Sequence, residues 1–231
     1  YKVALFLFIK KDFMQIEVNI PSTLRDVKLK DYQDYLKIEE PNNDDLLKCI
    51  LNINQDKLGK VKSKDVDYLI AHITKLFEAK QEHIPIFKMY GVEYGFIPSL
   101  DEITYGENKD ITSYIGNWAT MNKAMAVLYR PIKQKQGHKY LIEEYEGSHK
   151  YSELMKDAPL DVVMGAMVFF YNLTSVLLKY MPNYLEEEAM KEQMRGVISA
   201  ENGVAIRKYI ALVKETLQDL KKLQNFPFIN A

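Results

Sequence analysis

Ile84-Pro85-Ile86-Phe87-Lys88-Met89-Tyr90-Gly91-Val92-Glu93-Tyr94-Gly95-Phe96 decides the fold class, because here the helical spacing of apolar residues gives way to a β pattern. β-branched and aromatic residues flank a glycine at which the chain can reverse, so the stretch predicts two short strands joined near Gly91. A two-stranded ribbon is marginal alone and must pair with another strand or lie on a helix. Tyr140-Leu141-Ile142-Glu143 reads as a further short strand. Most of the remaining chain carries helical periodicity. The expected class is α+β, predominantly α-helical, with a small β-hairpin or three-stranded element in the middle of the chain. The expected organisation is a helical amino-terminal lobe over residues 14–82, and a hairpin plus helical carboxyl-terminal lobe over residues 83–231, packed as one globular unit.

Upstream, Leu29 to Ile38 predicts a short helix carrying Tyr32, Tyr35 and Leu36 on one side, ended by Pro41. Asn43 is the expected cap of the next helix, with Asp44 and Asp45 at its positive end and Leu46, Leu47, Ile50 and Leu51 on its apolar side. A third helix keeps three-and-four spacing through Val66, Leu69, Ile70, Ile73, Leu76 and Phe77, with Ser63 as its expected cap. Residues 1–13 leave two readings open. Val3 to Ile9 forms a first strand, or the segment is an upstream extension and translation begins at Met14. Met14 to Ile20 alternates as a strand does and stops at Pro21.

Downstream, Thr104 and Glu107 have capping-box spacing, in which hydroxyl and carboxylate satisfy each other's orphan amides at a helix start. Trp118 to Tyr129 predicts a helix stopped by Pro131, and Lys133 to Lys139 predicts a basic loop turning at Gly137. A long core helix is expected from Leu160 to Tyr180, led by Pro159. Its apolar run, Val162 to Leu178, contains Gly165, Asn172, Thr174 and Ser175 and falls short of the about 20 apolar residues that span a bilayer. The expectation is therefore a buried helix and no membrane partner. The last helix, Val204 to Leu223, sets Ile206, Ile210, Val213, Leu217 and Leu220 in a heptad seam over two repeats.

With 31 Lys+Arg against 32 Asp+Glu, a net charge of -1 provides no field to steer nucleic acid to the chain as a whole. Arg130 to Lys139, with Tyr129 and Tyr140 beside it, has the residue types of a phosphate or RNA site, but a solvated loop accounts for it without one. His72, His83, His138 and His149 lack the one-face spacing of a metal site, and Cys49 has no partner for a disulfide. Strand alternation would scatter Glu143, Glu144 and Glu146, so a charged edge strand explains them. An enzyme would require Tyr90, Glu93, Tyr94, Arg130 and Glu143 to converge on one pocket. No catalytic residue, cofactor or metal ligand is assigned. Of the methionines at 164, 167, 181, 190 and 194, Met190 and Met194 lie in a charged segment and are candidates for an adaptable partner surface.

Ile20-Pro21-Ser22-Thr23-Leu24-Arg25-Asp26-Val27-Lys28-Leu29 is echoed, one residue shorter, by Ile97-Pro98-Ser99-Leu100-Asp101-Glu102-Ile103-Thr104-Tyr105, each copy leading into a Tyr-rich segment that reads as helix. The phrases from Ile20 to Ile38, from Phe96 to Glu107 and from Met121 to Ile132 together resemble a family of tailed-phage proteins. That family is associated with phages and prophages of Bacteroidetes, including the crAss-like group, and with tail assembly chaperones and related structural proteins. The resemblance spans about residues 14–182, which leaves residues 1–13 outside it. It implies binding rather than catalysis: a chaperone holds the hydrophobic helices of a tape-measure protein until tail-tube subunits displace it. The place of action would be the host bacterial cytoplasm during assembly, or the virion if the chain is instead a tail connector, head-completion or cargo protein. Met190 and Met194, and the seam Ile206, Ile210, Val213, Leu217 and Leu220, are the expected partner contacts.

Overall fold

The computed structural model describes residues 3–8, 15–137 and 139–173. Two compact units divide the chain, Tyr1–Gly165 and Ala166–Ala231. The first opens with strands β1 (Val3–Phe8) and β2 (Gln15–Ile20), antiparallel with Val3 opposite Ile20 and Phe8 opposite Gln15. Four helices follow: α1 (Leu29–Leu36), α2 (Asn43–Leu51), α3 (Gln55–Leu58) and α4 (Ser63–Glu78). The hairpin strands β3 (Ile86–Met89) and β4 (Val92–Phe96) are joined by Tyr90 and Gly91, with φ of 50° and 82°. Both lie in the left-handed region, as the two-residue turns that suit strand twist require. Then come α5 (Tyr105–Tyr114), α6 (Met121–Leu128), β5 (Tyr129–Gln136), β6 (Lys139–Ile142), α7 (His149–Met155) and the helix α8 at 160–173. The chain is α+β and mostly helical.

The middle sheet has four antiparallel strands in sequence order, β3-β4-β5-β6. It exceeds expectation because Lys133 to Gln136, read as loop, continue β5. Polar residues on both faces leave no alternation to detect. Pairing with β6 and a turn at Gly137, with φ of 58°, hold these residues extended. The β5–β6 register slips between Ile132 and Gln134, leaving Lys133 as the extra residue of a bulge. Beyond Pro131, β5 has no register partner on β4, so the outer part of β5 and β6 forms a ribbon of its own.

The core forms around α6, whose Met121, Ala124, Met125, Val127 and Leu128 are all 1% exposed or less. Burial of each large apolar side chain contributes about 1.5–3 kcal/mol. This helix packs on α5 and α7 and runs directly into β5. Residues 118–120, expected as its first turn, form a separate 3-10 turn capped by Asn117. Against the sheet, Tyr129 meets Phe87 and Phe96 edge-on at 5.3 and 5.2 Å and donates its hydroxyl to Ile84 O at 2.8 Å. Between helices, Gln33 Nε2 donates to Trp118 O at 2.7 Å and to Asn122 Oδ1 at 3.4 Å, while Asn122 Nδ2 donates to Ser152 O at 2.9 Å. These bonds satisfy buried amides that would otherwise be costly.

The caps differ in detail from expectation. Asn42, not Asn43, caps α2, because Asp45 three residues on returns the bond: Asn42 Oδ1 accepts Asp45 N–H at 3.1 Å and the Asp45 carboxylate accepts Asn42 N–H at 3.2 Å. Lys62 occupies the cap position of α4, so Ser63 lies inside the helix. Both echoed phrases are capping devices. In the first, Thr23 and Asp26 close a box around the 3-10 turn Leu24–Asp26, and Lys28 then leads into α1. The second has the expected box, with Thr104 and Glu107 opening α5.

The start of α1 is completed from far along the chain. Leu29 and Lys30 N–H donate to Ala158 O and Lys156 O at 2.9 and 2.8 Å, and Leu160 N–H returns a bond to Val27 O at 2.9 Å. Orphan donors of one helix start thus meet orphan acceptors beyond the end of α7.

Candidate functional site

The expected partner contacts Met190, Met194, Ile206, Ile210, Val213, Leu217 and Leu220 lie outside the described residues. Met164 and Met167 are described, both in α8 and both 5% exposed. The five residues an enzyme would need to converge are for the most part held apart. Tyr90 donates to Asp157, Glu93 faces Lys135 at 3.7 Å, and Arg130 is buried against Glu107. Only Tyr94 and Glu143 share a neighbour: the Tyr151 ring meets Tyr94 edge-on at 6.3 Å and its hydroxyl donates to Glu143 at 2.5 Å. Lys150 Nζ, 3.2 Å from Glu143, completes that group. The Tyr151 hydrogen bond and the Lys150 charge hold the Glu143 carboxyl below the ordinary carboxylate range, so it accepts bonds and does not hold a proton.

Two further charged clusters join elements. Glu107, 4% exposed, accepts Thr104 N–H and hydroxyl at 2.7 Å each and the Arg130 guanidinium at 2.5 Å. Burial alone would raise its carboxyl; the Thr104 bonds and the Arg130 charge outweigh that and hold it low. Arg130 lies over the Tyr145 ring at 5.6 Å, and Tyr145 donates to Asp110. At the start of α1, Asp157 receives Lys28 and Lys30 at 3.0 Å each and the Tyr90 hydroxyl at 2.6 Å. Burial opposes ionisation there as well, but Tyr90 and the two lysines hold the Asp157 carboxyl down at about 2.

Among the described residues no group of three or more His, Cys, Asp or Glu is placed to hold a metal ion. His72 is bonded to Pro21 O at 2.8 Å, and His83 lies edge-on to Phe96 at 4.6 Å with burial lowering its affinity for a proton. Cys49 is half-buried, and burial together with neighbouring carboxylates pushes its thiol up, away from the reactive thiolate. No helix among the described residues is long and apolar enough to cross a membrane.

The described surface holds a cleft of about 510 Å³ lined by Pro98, Gln134, Gln136, Lys139, Tyr140 and Leu141. It exists because the ribbon is anchored back onto the sheet. The Tyr140 hydroxyl donates to Phe96 O at 2.8 Å, and its ring fills the space over Gly95, where a Cβ would stand 2.5 Å from Tyr140 Cε2. Gln134 pairs with Leu141 and Gln136 with Lys139, so these four share one face of the ribbon. Tyr129 and Arg130, at the start of the basic stretch expected as a solvated loop, are instead buried, 0% and 6% exposed. A second cleft, of about 380 Å³, lies between the end of α1 and the 3-10 turn and is lined by Gln33, Leu36, Lys37 and Gly116 to Ala119. Sequence reading missed both, although Gly95 within a strand is itself a sign of close approach by another group.

In comparisons with known proteins, the chain matches no family model, no curated protein and no solved structure.

Proposed function

We propose that this chain is a non-enzymatic morphogenesis protein of a tailed phage, a tail assembly chaperone that binds hydrophobic helices of a tape-measure protein. One observation carries the reading. The three phrases that resemble the phage family are remote in sequence yet bonded to one another: Ile97 N–H donates to Leu128 O at 2.9 Å, Glu107 holds Arg130, and Gln33 reaches Asn122. Their polar groups serve internal bonds, which supports a family signature of framework rather than of catalysis. Binding then falls to other parts of the sequence, among them the seam Ile206 to Leu220 and the Met190 and Met194 segment.

The test is co-expression with the tape-measure protein of the same genome. The two should co-purify, Leu217→Asp should abolish that association, and mass spectrometry of mature particles should find the chain absent. Fixed copy number in particles would make it a virion component, such as a tail connector or head-completion protein. Failure both to co-purify with the tape-measure protein and to appear in particles would overturn the phage assignment.

A further inference from the structure

The two edges of the middle sheet are unlike. At the β3 edge Phe87 and Met89 are buried and Lys88 is exposed, a common way to blunt an edge. At the β6 edge, Leu141 is 62% exposed, and no described strand lies outside it. Alternate residues of an antiparallel strand direct their N–H and C=O away from the neighbour they pair with, so β6 directs outward backbone groups that no described strand pairs. On the ribbon face that carries Leu141 lies the cleft lined by Pro98, Tyr140 and Leu141, by two amides, Gln134 and Gln136, and by one cation, Lys139.

We propose that β6 and this cleft take an extended peptide segment of a partner protein as a fifth strand, with an apolar side chain against Pro98 and Leu141 and a carboxylate on Lys139. Edge addition supplies affinity through main-chain bonds and selectivity through side-chain pockets, and the cleft has both parts. Charge selects the occupant. No carboxylate among the described residues pairs with Lys139, so a partner's carboxylate completes it. Of the ribbon's other lysines, Lys135 faces Glu93 at 3.7 Å, and Lys133, at the bulge, lies outside the cleft lining. The cleft itself contains a single cation, Lys139, too few for a nucleic-acid backbone, whose binding rests on neutralising several phosphates. The proposal rests on the sheet edge and does not depend on the phage assignment.

The experiment titrates the full chain against an array of N-acetylated octapeptides. One set alternates apolar and polar residues with a single Glu, a matched set has Gln in its place, and a third is N-methylated at alternate positions. Glu peptides should bind; Gln and N-methyl peptides should bind more weakly. Leu141→Glu and Lys139→Glu should each weaken binding about tenfold or more, and Lys88→Glu on the opposite edge should not. Hydrogen exchange on the unmodified chain should show peptide-dependent protection confined to the amides of Tyr140 to Ile142, a readout that requires no variant to fold. The proposal is overturned if no peptide binds, if Leu141→Glu folds and binds as before, or if protection falls elsewhere. Binding of a 20-nucleotide oligo-dT probe in place of the peptides would also overturn it, as would a concentration-dependent dimer that Leu141→Glu dissociates.

Discussion

At the scale of single residues, the Glu107–Arg130 pair shows how a cap becomes a joint. Thr104 and Glu107 are legible in sequence because a capping box has fixed spacing. Arg130, 23 residues away on β5, is not, because no spacing rule links a helix start to a strand and the residue lies in a basic stretch that reads as one surface. With side chains 7% and 6% exposed, removal of either partner strands a buried charge. Glu107→Ala should therefore cost about 3–5 kcal/mol in urea unfolding, while the double substitution Glu107→Leu with Arg130→Met recovers most of it. A loss as large in the double variant would mean that the cap, not the ion pair, carries the energy. Asp157 gives a second prediction. Its carboxyl lies at about 2 in the native chain against an ordinary 3.8, so the unfolded chain binds the proton more readily. Its stabilisation is complete above pH 3.8 and is lost as pH falls towards about 2. The stability gap between the wild-type chain and Asp157→Asn should close across that interval, and a gap constant with pH would show that the lysines do not act through charge.

At the scale of elements, glycines mark places where periodicity alone misleads. Gly165 lies inside the apolar run of α8, where periodicity gives it no role. In the fold it is a contact point: a Cβ there would stand 2.2 Å from Glu82 O, part of the backbone leading to the sheet. Helix propensity favours Ala over Gly by about 1 kcal/mol, but a backbone carbonyl cannot swing aside as a flexible side chain can. Gly165→Ala should thus destabilise the chain, by about 1–3 kcal/mol in thermal or urea unfolding. A stabilised variant would show that the 79–85 segment can shift at little cost. The helices were the most legible elements, since their stripes repeat: Leu46, Leu47, Ile50, Leu69 and Ile73, expected on apolar faces, are all buried. The outer half of β5 was the least legible, because residues solvated on both faces carry no pattern and owe their extension to β6.

At the scale of the whole described unit, the first amino-terminal helix is bonded to elements far along the chain. A boundary near residue 82 follows from the change in periodicity, which is local information. The bonds that complete α1 are not local: its first amides donate to Lys156 O and Ala158 O, and Gln33 reaches Asn122 across 89 residues. No spacing rule announces such bonds, because backbone carbonyls at the end of one helix look alike in every sequence. They bear on cooperativity. If α1 folded with α2 and α4 as a free-standing lobe, its amides would exchange with solvent according to that lobe's own opening. Since Leu29 and Lys30 have their acceptors beyond α7, opening either side exposes both, and protection should rise and fall together. In native-state hydrogen exchange at increasing urea, the amides of Leu29 and Lys30 should merge with those of α6 and α7 into one isotherm, of common free energy and slope. Lys30→Pro, which removes one of these donors within the first turn of α1, should lower the protection of α6 as well as of α1. A separate, lower isotherm for α1 to α4 would show instead that the amino-terminal helices open on their own, with the tie to α7 made only after each side has formed.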